Sequence, residues 1–485
     1  MHHSLFAEQF DKLSDLTLER ESLKDGLEQE LPSGAVGACI WRNKSLRLRI
    51  MLSGGAEHEQ TFREHVPGKL LTPSPVGFVN HAGHKVTAEG IFITKLVSDE
   101  GQRAEGTLDR AEVIFTDEEA AFSLLWIANM PKHPLCGHWP ESTDFEKKTT
   151  LQIRRASRTS TISTSRRGGE NTHFTMTLMI DGTATSIQVG KERDKHYGFV
   201  ELDRAGARLD EDAKRRLLDC LGFILGRPLA LMSETWFDEH AKPLRKVYYS
   251  AYLHRNSKSE PDLATVEPRK GVFIEARPVQ NAVQKLLDNY RDCELLNVFW
   301  NFWTARSISP QQGAVMFGSA FETLRDAYYR KPGREKRTSI LEGEAWTGLK
   351  KAMAAALDGL SIEKALADKF KGKIEFLNSV SSRELSQRFL DDLGLTHGSV
   401  EDAALKFRNT GAHGSKVAKD VDYQALMLSY RALQTLLCRT ILRLCDVDEK
   451  YVDHSTYGHP HRLLTEPLGG PESDGRPTSN ATKAS

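Results

Sequence analysis

DYQALMLSYRALQTLLCRTILRLC, residues 422–445, is the stretch that decides the fold of the second half of the chain. Its apolar side chains recur at steps of three or four residues, which predicts one long helix with an apolar stripe facing a core. The stripe consists of Tyr423, Leu426, Met427, Tyr430, Leu433, Leu437, Ile441 and Leu444. A packed helix of this kind holds its ends rigidly, so the residues just before it are the leading candidates for chemistry.

An arginine, an amide and a histidine stand together before that helix, in the stretch KFRNTGAHG, residues 406–414. Arg408 carries a permanent charge on a planar fork that matches a phosphate, and His413 can exchange a proton near neutral pH. Two glycines are expected to interrupt the helix here, so that the two side chains can converge. The pattern favours chemistry on a phosphodiester, with Asn409 either positioning a reacting group or capping the helix.

Helical periodicity also dominates the rest of the chain after residue 271, where strand signals almost vanish. The predicted helices cover residues 277–291, 293–306, 310–330, 342–357, 361–372, 382–393, 399–408 and 422–445. We therefore expect an all-α domain over 276–463, with a boundary near 260–276. The tail over 466–485 is rich in Pro, Gly and Ser and is expected to be disordered.

The first 270 residues alternate between apolar and polar positions, as strands do. Two hairpins are predicted, one joining 38–41 to 46–52 and one joining 174–180 to 183–189 across Asp181-Gly182. Further strands are predicted at 84–96, 103–116, 121–128 (which could equally be helical), 196–202, 229–236 and 245–253, and helices at 4–30 and 210–225. The chain is thus expected to be α+β, with a β-rich region of one or two subdomains over 1–270 preceding the helical domain.

Composition indicates an ordinary soluble globular protein. The 485 residues are 39% apolar and 27% charged with zero formal net charge, so any nucleic-acid binding must come from local patches. The start lacks the pattern of a signal peptide, and no apolar run reaches the roughly 18 residues that a membrane span needs. The six cysteines are scattered without a CxxC pair, which predicts reduced thiols in a cytoplasmic protein.

Two basic stretches are candidates for contact with RNA. Residues 147–169 contain seven Lys or Arg residues and no acid, which fits either an exposed edge strand or a surface that follows phosphates. A turn between two predicted helices carries Arg334, Lys336 and Arg337, which either bind RNA or are simply solvated. Glu322, on an earlier helix, could reach the site of Arg408 and His413, but the preferred interpretation is a solvated helix acid.

No metal site is predicted. His133, Cys136 and His138 lie close together, but their spacing does not match a zinc knuckle and a second ligand pair is not evident.

Arg408 and His413 form an R-x4-H pattern with Asn409 directly after the arginine, then a small-residue turn and the long apolar helix. This arrangement resembles the HEPN superfamily (higher eukaryotes and prokaryotes nucleotide-binding), and most of all its Apea-like branch, in which a β-rich region precedes the helical bundle. The resemblance covers about residues 290–465. Ser415 stands where some members have tyrosine, so a tyrosine-dependent nucleotidyl-transfer variant is not supported.

The resemblance implies a metal-independent endoribonuclease without a cofactor, at a homodimer interface where two R-x4-H motifs face one another. His413 would act as general base or acid, and Arg408 would stabilise the charged phosphorane, leaving a 2′,3′-cyclic phosphate. Asn409 would position the phosphate or the imidazole. Flanking phosphates would contact three lysines of the same region, Lys406, Lys416 and Lys419.

The resemblance further implies bacterial defence against phage, in which host RNA such as tRNA is cleaved and growth stops. The β-rich region would then sense a phage-derived trigger or restrain the nuclease. Two alternatives stay open at this point. One is a non-catalytic module that binds RNA or a nucleotide and dimerises, and the other is the toxin of a toxin–antitoxin pair.

Overall fold

The computed structural model describes residues 21–26, 35–42, 47–54, 75–80, 83–97, 103–131, 137–138, 148–154, 159–165, 175–191, 198–204, 208–240, 242–250, 276–360, 362–374, 376–412, 423–447 and 449–471. The chain divides into two compact units, Met1–Pro261 with Pro268–Gln280 and Asp262–Glu267 with Asn281–Ser485. The first unit is β-rich and the second helical, so the chain is α+β. In the described stretches, no helix is long and apolar enough to cross a bilayer.

The first part of the β-rich unit is an antiparallel array of eight strands, counted over the described residues. They are β1 (Glu21–Gly26), β2 (Ala35–Arg42), β3 (Leu48–Gly54), β4 (Val76–Asn80), β5 (Lys85–Glu89), β6 (Phe92–Val97), β7 (Arg103–Leu108) and β8 (Arg110–Ile114). They pair in the order β8–β5–β4–β1–β2–β3–β7–β6. Alternate side chains, such as Ile50, Phe78 and Val113, enter one shared core and are almost fully buried. The period-2 pattern of the sequence therefore corresponds to one buried face.

The second part of the sheet adds seven described strands and joins the first through the pairing of β17 with β8. These strands are β9 (Phe122–Ile127), β10 (Gly137–His138), β13 (Thr175–Ile180), β14 (Thr183–Lys191), β15 (Gly198–Asp203), β16 (Leu231–Phe237) and β17 (Pro243–Tyr249). The basic stretch forms a hairpin of its own, β11 (Lys148–Arg154) with β12 (Thr159–Ser165). Every residue of β9 and β15 is buried, because both faces of these central strands are covered.

Both predicted hairpins are confirmed. Ile40 pairs with Ile50 between β2 and β3, and Ile180 pairs with Thr183 between β13 and β14. Asp181 and Gly182 both have positive φ, 49° and 76°, which is the backbone of the tight type I′ turn that an Asp-Gly pair favours.

One helix belongs to the described part of the β-rich unit, α1 (Glu211–Ile224). Asp210 caps it by accepting a hydrogen bond from the Ala213 N–H at 2.6 Å. Its buried Lys214 forms an ion pair with the buried Glu234 of β16, with Nζ and Oε2 2.7 Å apart. These contacts fix α1 against the sheet.

Eight described helices follow residue 275, and all but the first five residues of the first one belong to the second unit. They are α2 (Ala276–Asn289), α3 (Leu295–Ala305), α4 (Pro310–Tyr329), α5 (Gly343–Asp358), α6 (Lys364–Ile374), α7 (Ser382–Asp392), α8 (Ser399–Ala412) and α9 (Tyr423–Leu444). A short 3₁₀ helix, Glu335–Thr338, follows α4, and a small hairpin of β18 (Lys450–Val452) and β19 (His461–Leu463) follows α9. Each of these helices coincides with one that the periodicity predicted.

α4 lies at the centre of the helical unit, where it packs against α3, α7, α8 and α9. Phe317 contacts Phe302 of α3 and Tyr430 of α9, with ring centroids 5.5 and 5.1 Å apart. One turn later Phe321 packs on Phe389 of α7 at 5.6 Å. These aromatic contacts hold α4 against α3, α9 and α7.

The helix predicted over 4–30 and the disorder predicted over 466–485 are wrong in part. The helix predicted over 4–30 fails at Glu21–Gly26, which form β1, because hydrogen bonds to β2 and β4 on both sides override a local helical pattern. Residues 4–20 lie outside the described residues. The tail predicted to be disordered over 466–485 is packed as far as residue 471, where Leu468 is buried. Its backbone N–H donates to the carboxylate of Glu401 at 2.8 Å, and such bonds hold a Pro/Gly-rich segment in place.

The four cysteine side chains that the structure describes, Cys220, Cys293, Cys438 and Cys445, are buried, and none of them is in a disulfide with another described residue. Cys39 and Cys136 fall on side chains outside that description.

A fully buried ion pair joins α8 to α9. Arg439 and Glu401 expose no side-chain surface, and Nη1 lies 3.2 Å from Oε1. Arg439 also donates to the carbonyl oxygens of Leu464 and Thr396, at 2.7 and 2.8 Å. Glu401 also accepts from two backbone N–H groups. A buried pair is tolerated when its remaining hydrogen-bonding capacity is used in this way.

We expect Arg439→Met to lower the free energy of unfolding of the helical unit by about 3–5 kcal/mol, because Glu401 stays buried without its cation. Amide hydrogen exchange in α8 and α9 measures the loss locally. The matched control is Arg215→Met, since the exposed pair of Arg215 with Asp212 contributes about 0–1 kcal/mol. If Arg439→Met and Arg215→Met lowered the free energy of unfolding by the same amount, the prediction would be wrong.

A second buried carboxylate organises the segment after α9. Asp453 accepts hydrogen bonds from Ser455, Thr456, the Arg462 guanidinium and the Gly469 N–H. Burial alone would raise the pKa of Asp453, but these hydrogen bonds outweigh it and lower the pKa below its ordinary value.

Because the folded-state pKa of Asp453 is lowered, its contribution to stability is complete above the unfolded pKa of about 3.9 and is lost as pH falls below it. We expect Asp453→Asn to reduce stability at neutral pH and to flatten the acid limb of the stability profile. Unfolding titrations from about pH 6 to pH 2 test this. An acid limb as steep in the variant as in the wild type would contradict it.

Candidate functional site

A cleft of about 70 Å³ opens between α4, α7 and α8. Its lining residues are Gly318, Phe321, Glu322, Ser382, Arg383, Ser386, Gln387, Asp402, Leu405, Lys406 and Arg408. The cleft thus includes the arginine and the first lysine of the stretch that the sequence singled out. Its volume suits a compact group better than a whole nucleotide.

Arg408 is held in this cleft by Glu322 of α4. Nη2 of Arg408 and Oε2 of Glu322 form an ion pair, and the two side chains are 18% and 26% exposed. The aliphatic part of Arg408 lies directly on Gly318, where a Cβ would overlap it. α4 and α8 therefore approach closely only because residue 318 has no side chain.

The interpretation of Glu322 as a solvated acid is wrong. Its Oε1 accepts a hydrogen bond from the Ser382 hydroxyl at 3.0 Å, while Oε2 holds Arg408. Ser382 is the first residue of α7, so Glu322 connects all three helices of the cleft. Sixty or more residues separate Glu322 from either partner, and local sequence does not reveal such a contact.

The buried Arg325 of α4 binds the same end of α7 that Glu322 contacts. Its Nη1 donates to the Ser382 and Ser386 hydroxyls, both at 3.0 Å, and its Nη2 pairs with Asp326 at 2.9 Å. The sequence analysis did not identify Arg325, Ser382 and Ser386. Arg325 could have been identified, because it falls on the apolar stripe of α4, and a charged side chain at such a position needs buried partners.

The structure brings together only part of the predicted site. Lys406 lies on the rim of the cleft and is exposed. Asn409 lies in the last turn of α8, but its side chain is outside the described residues, as are His413, Lys416 and Lys419. Gly411 does not interrupt the helix as predicted, because α8 continues to Ala412.

The predicted basic turn lies apart from the cleft. Asp392, at the end of α7, accepts from Arg337 Nη2 at 2.7 Å, which raises the pKa of Arg337. Arg334 stacks on Tyr328 with its guanidinium carbon 3.9 Å from the ring centroid, and Lys336 is exposed. Tyr328 is six residues beyond Glu322 on α4, about 9 Å along the helix. Arg337 is thus already neutralised, whereas Arg334 and Lys336 have no carboxylate partner within the described ranges.

The cleft as a whole is close to electrically balanced. Its described lining carries three cations, Arg383, Lys406 and Arg408, and two carboxylates, Glu322 and Asp402. An incoming anion would therefore meet a modest positive excess, and it would compete with Glu322 for Arg408. Groups of three or more His, Cys, Asp or Glu side chains that could hold a metal are not found among the described residues.

We expect a double-mutant cycle of Glu322→Gln and Arg408→Met to give a coupling energy of about 1 kcal/mol, because both side chains are mostly shielded from water. Urea titration of the four proteins measures it. A cycle on Glu384 and Arg388, an ion pair one turn apart within α7, provides the control at about 0.3–0.5 kcal/mol. Additive effects at Glu322 and Arg408 would show that the pair does not fix the arginine.

No protein-family model matches the chain, and no solved structure matches it. Among curated proteins, the chain is similar to the phosphoprotein of Vesicular stomatitis Indiana virus (strain 94GUB Central America), with 29% identity over 131 residues. The match covers 26% of this chain and 44% of that protein, so the chain spans less than half the length of this relative. A similarity this low and this short does not show to which family the chain belongs.

Proposed function

We propose that the chain is a metal-independent endoribonuclease of the HEPN type, in which Arg408 and His413 cleave RNA. The observation that carries the proposal is the placement of Arg408 in a cleft of the helical unit, held by Glu322 within the last turn and a half of α8. His413 follows α8 directly in the sequence. The arginine is therefore held in a defined place, five residues before the histidine that would move the proton.

The proposed reaction is an internal transesterification. A base removes the proton of a ribose 2′-OH, the 2′-oxygen bonds to the adjacent phosphorus, and the bond to the 5′-oxygen breaks as that oxygen receives a proton. His413 is the base or the acid, Arg408 stabilises the phosphorane oxygens, and Asn409 positions the phosphate or the imidazole. A second copy of the chain supplies the other proton-transfer group in a homodimer.

Glu322 has two effects in this scheme. It orients Arg408, which favours catalysis because misplacement by about 1 Å costs on the order of 10²-fold in rate. It also occupies one side of the guanidinium, so an RNA phosphate binds Arg408 beside Glu322 or displaces it. A need for displacement would keep the site inactive until RNA or a trigger is bound.

In the proposed biological role, this activity arrests growth of a phage-infected bacterium by cleaving host RNA such as tRNA. The β-rich unit would sense a phage-derived trigger or restrain the nuclease. The pairing of Arg408 with Glu322 also favours a second candidate, a non-catalytic module that binds RNA and dimerises, because a neutralised arginine is a weaker electrophilic catalyst.

We expect His413→Ala and Arg408→Ala each to abolish RNA cleavage, with at least about a 10²-fold loss of rate for each. The RNA ends of cells with and without phage infection are sequenced, and 2′,3′-cyclic phosphate ends are scored. The wild type should produce such ends, and both variants should still fold and dimerise.

Two matched substitutions in the helical unit serve as controls. His397→Ala removes a histidine near Asp391, and Lys369→Ala removes an exposed lysine of α6, and neither residue lines the cleft. Both control variants should cleave as the wild type does. If the wild type and His413→Ala leave identical RNA ends under every condition, the nuclease proposal is wrong, and RNA binding by both would favour the module.

A further inference from the structure

A second pocket lies in the β-rich unit, where β9, β15 and β16 meet the start of α1. It is a cleft of about 20 Å³, and none of the described residues that line it is acidic. They are Ala120, Ala121, Phe122, Ser123, Leu202, Arg204, Arg208, Leu209 and Trp236. The pocket thus combines two arginines and a tryptophan on an otherwise small or apolar wall.

Arg204 brings a buried charge to this pocket. The residue is 9% exposed, and its guanidinium donates to two backbone carbonyl oxygens, those of Arg208 and Ile180, both at 3.0 Å. Its buried Nε has no hydrogen-bond partner, and within the described ranges no carboxylate pairs with the side chain. Neutral carbonyls do not compensate a buried cation fully, so the site favours a negative charge nearby.

Arg208 is the exposed cation of the pocket. Its guanidinium carbon lies 4.3 Å from the centroid of the Trp236 ring, and that of Arg245 lies 5.1 Å from the same ring. Burial, and next the charge of Arg245, lower the pKa of Arg208. The ring of Trp236 thus holds the positive charges of Arg208 and Arg245 close together, and they repel one another. A bound anion would reduce this repulsion.

Two acids of the neighbourhood are bound to other cations. Glu112 binds Arg245 at 2.8 Å and Arg110 at 3.0 Å, and Glu234 binds Lys214 at 2.7 Å. Glu234 also accepts from the Trp236 indole N–H at 2.7 Å. Within the described ranges, neither Arg204 nor Arg208 forms an ion pair with a carboxylate, and both line the pocket.

We propose that this pocket binds a phosphate group, either free or carried by a small phosphorylated molecule. A phosphate monoester brings about 1.5–2 negative charges near neutral pH and three acceptor oxygens, which suits two guanidinium groups better than one carboxylate does. Because Arg208 is exposed, its side chain can swing off Trp236 and enlarge the small cleft. The buried Arg204 stays in place as the fixed part of the site.

This proposal does not depend on ribonuclease activity, so a failure of one leaves the other standing. Isothermal titration calorimetry on the full chain, at constant ionic strength set with chloride, tests it with three probes. The probes are inorganic phosphate, ribose 5-phosphate and adenosine monophosphate. Equal affinity for all three would show that the pocket recognises the phosphate group alone. Tighter binding of one of the two esters would show that the pocket also contacts the sugar or the base.

Arg208→Ala should weaken binding of the tightest probe by about tenfold to a hundredfold, the effect of losing a hydrogen bond to a charged group. Arg215→Ala, which removes another exposed arginine from the same unit, should leave the dissociation constant unchanged. Because Arg208 is exposed and its side chain pairs with no described carboxylate, its loss should not unfold the protein, which thermal unfolding checks. No saturable binding of any probe, or equal affinities of Arg208→Ala and the wild type, would overturn the proposal.

Discussion

The helical unit depends on the burial of one ion pair. Arg439 and Glu401 lie at the contact of α8 and α9, and each has its remaining hydrogen-bonding groups satisfied by backbone. This pair allows few other alignments of α8 against α9, since any shift of one helix along the other would leave a buried charge without its partners. The position of Arg408, two turns further along α8, is a consequence of that register.

The two arginine sites differ in how their charge is balanced. In the cleft of the helical unit, Glu322 neutralises Arg408, and Ser382 holds Glu322 in turn. In the pocket of the β-rich unit, Glu112 and Glu234 are bound to other cations, and the guanidinium of Arg204 donates to backbone carbonyl oxygens. An anion that binds Arg408 must compete with a carboxylate, whereas an anion at Arg204 and Arg208 would meet no paired carboxylate among the described residues.

Much of this architecture can be predicted from periodicity, because helices and strands show their buried faces in local sequence. The eight helices of the second unit and the Asp181-Gly182 hairpin follow from such patterns. Failures occur where distant partners decide. β1 is a strand because two other strands pair with it. Leu468 is ordered because its N–H donates a hydrogen bond to the buried carboxylate of Glu401. Local sequence favoured the wrong interpretation of Glu322 for the same reason, since its partners lie 60 and 86 residues away.

The docking of Leu468 on Glu401 has a consequence for the order in which the chain matures. The donor is made 67 residues after the acceptor, and synthesis at 5–20 residues per second separates them by about 3 to 13 s. During that interval α8 can form, but its buried carboxylate lacks one of its donors. A nascent chain that has not yet reached Leu468 therefore has a buried ion pair of Glu401 and Arg439 that lacks one of its supporting hydrogen bonds.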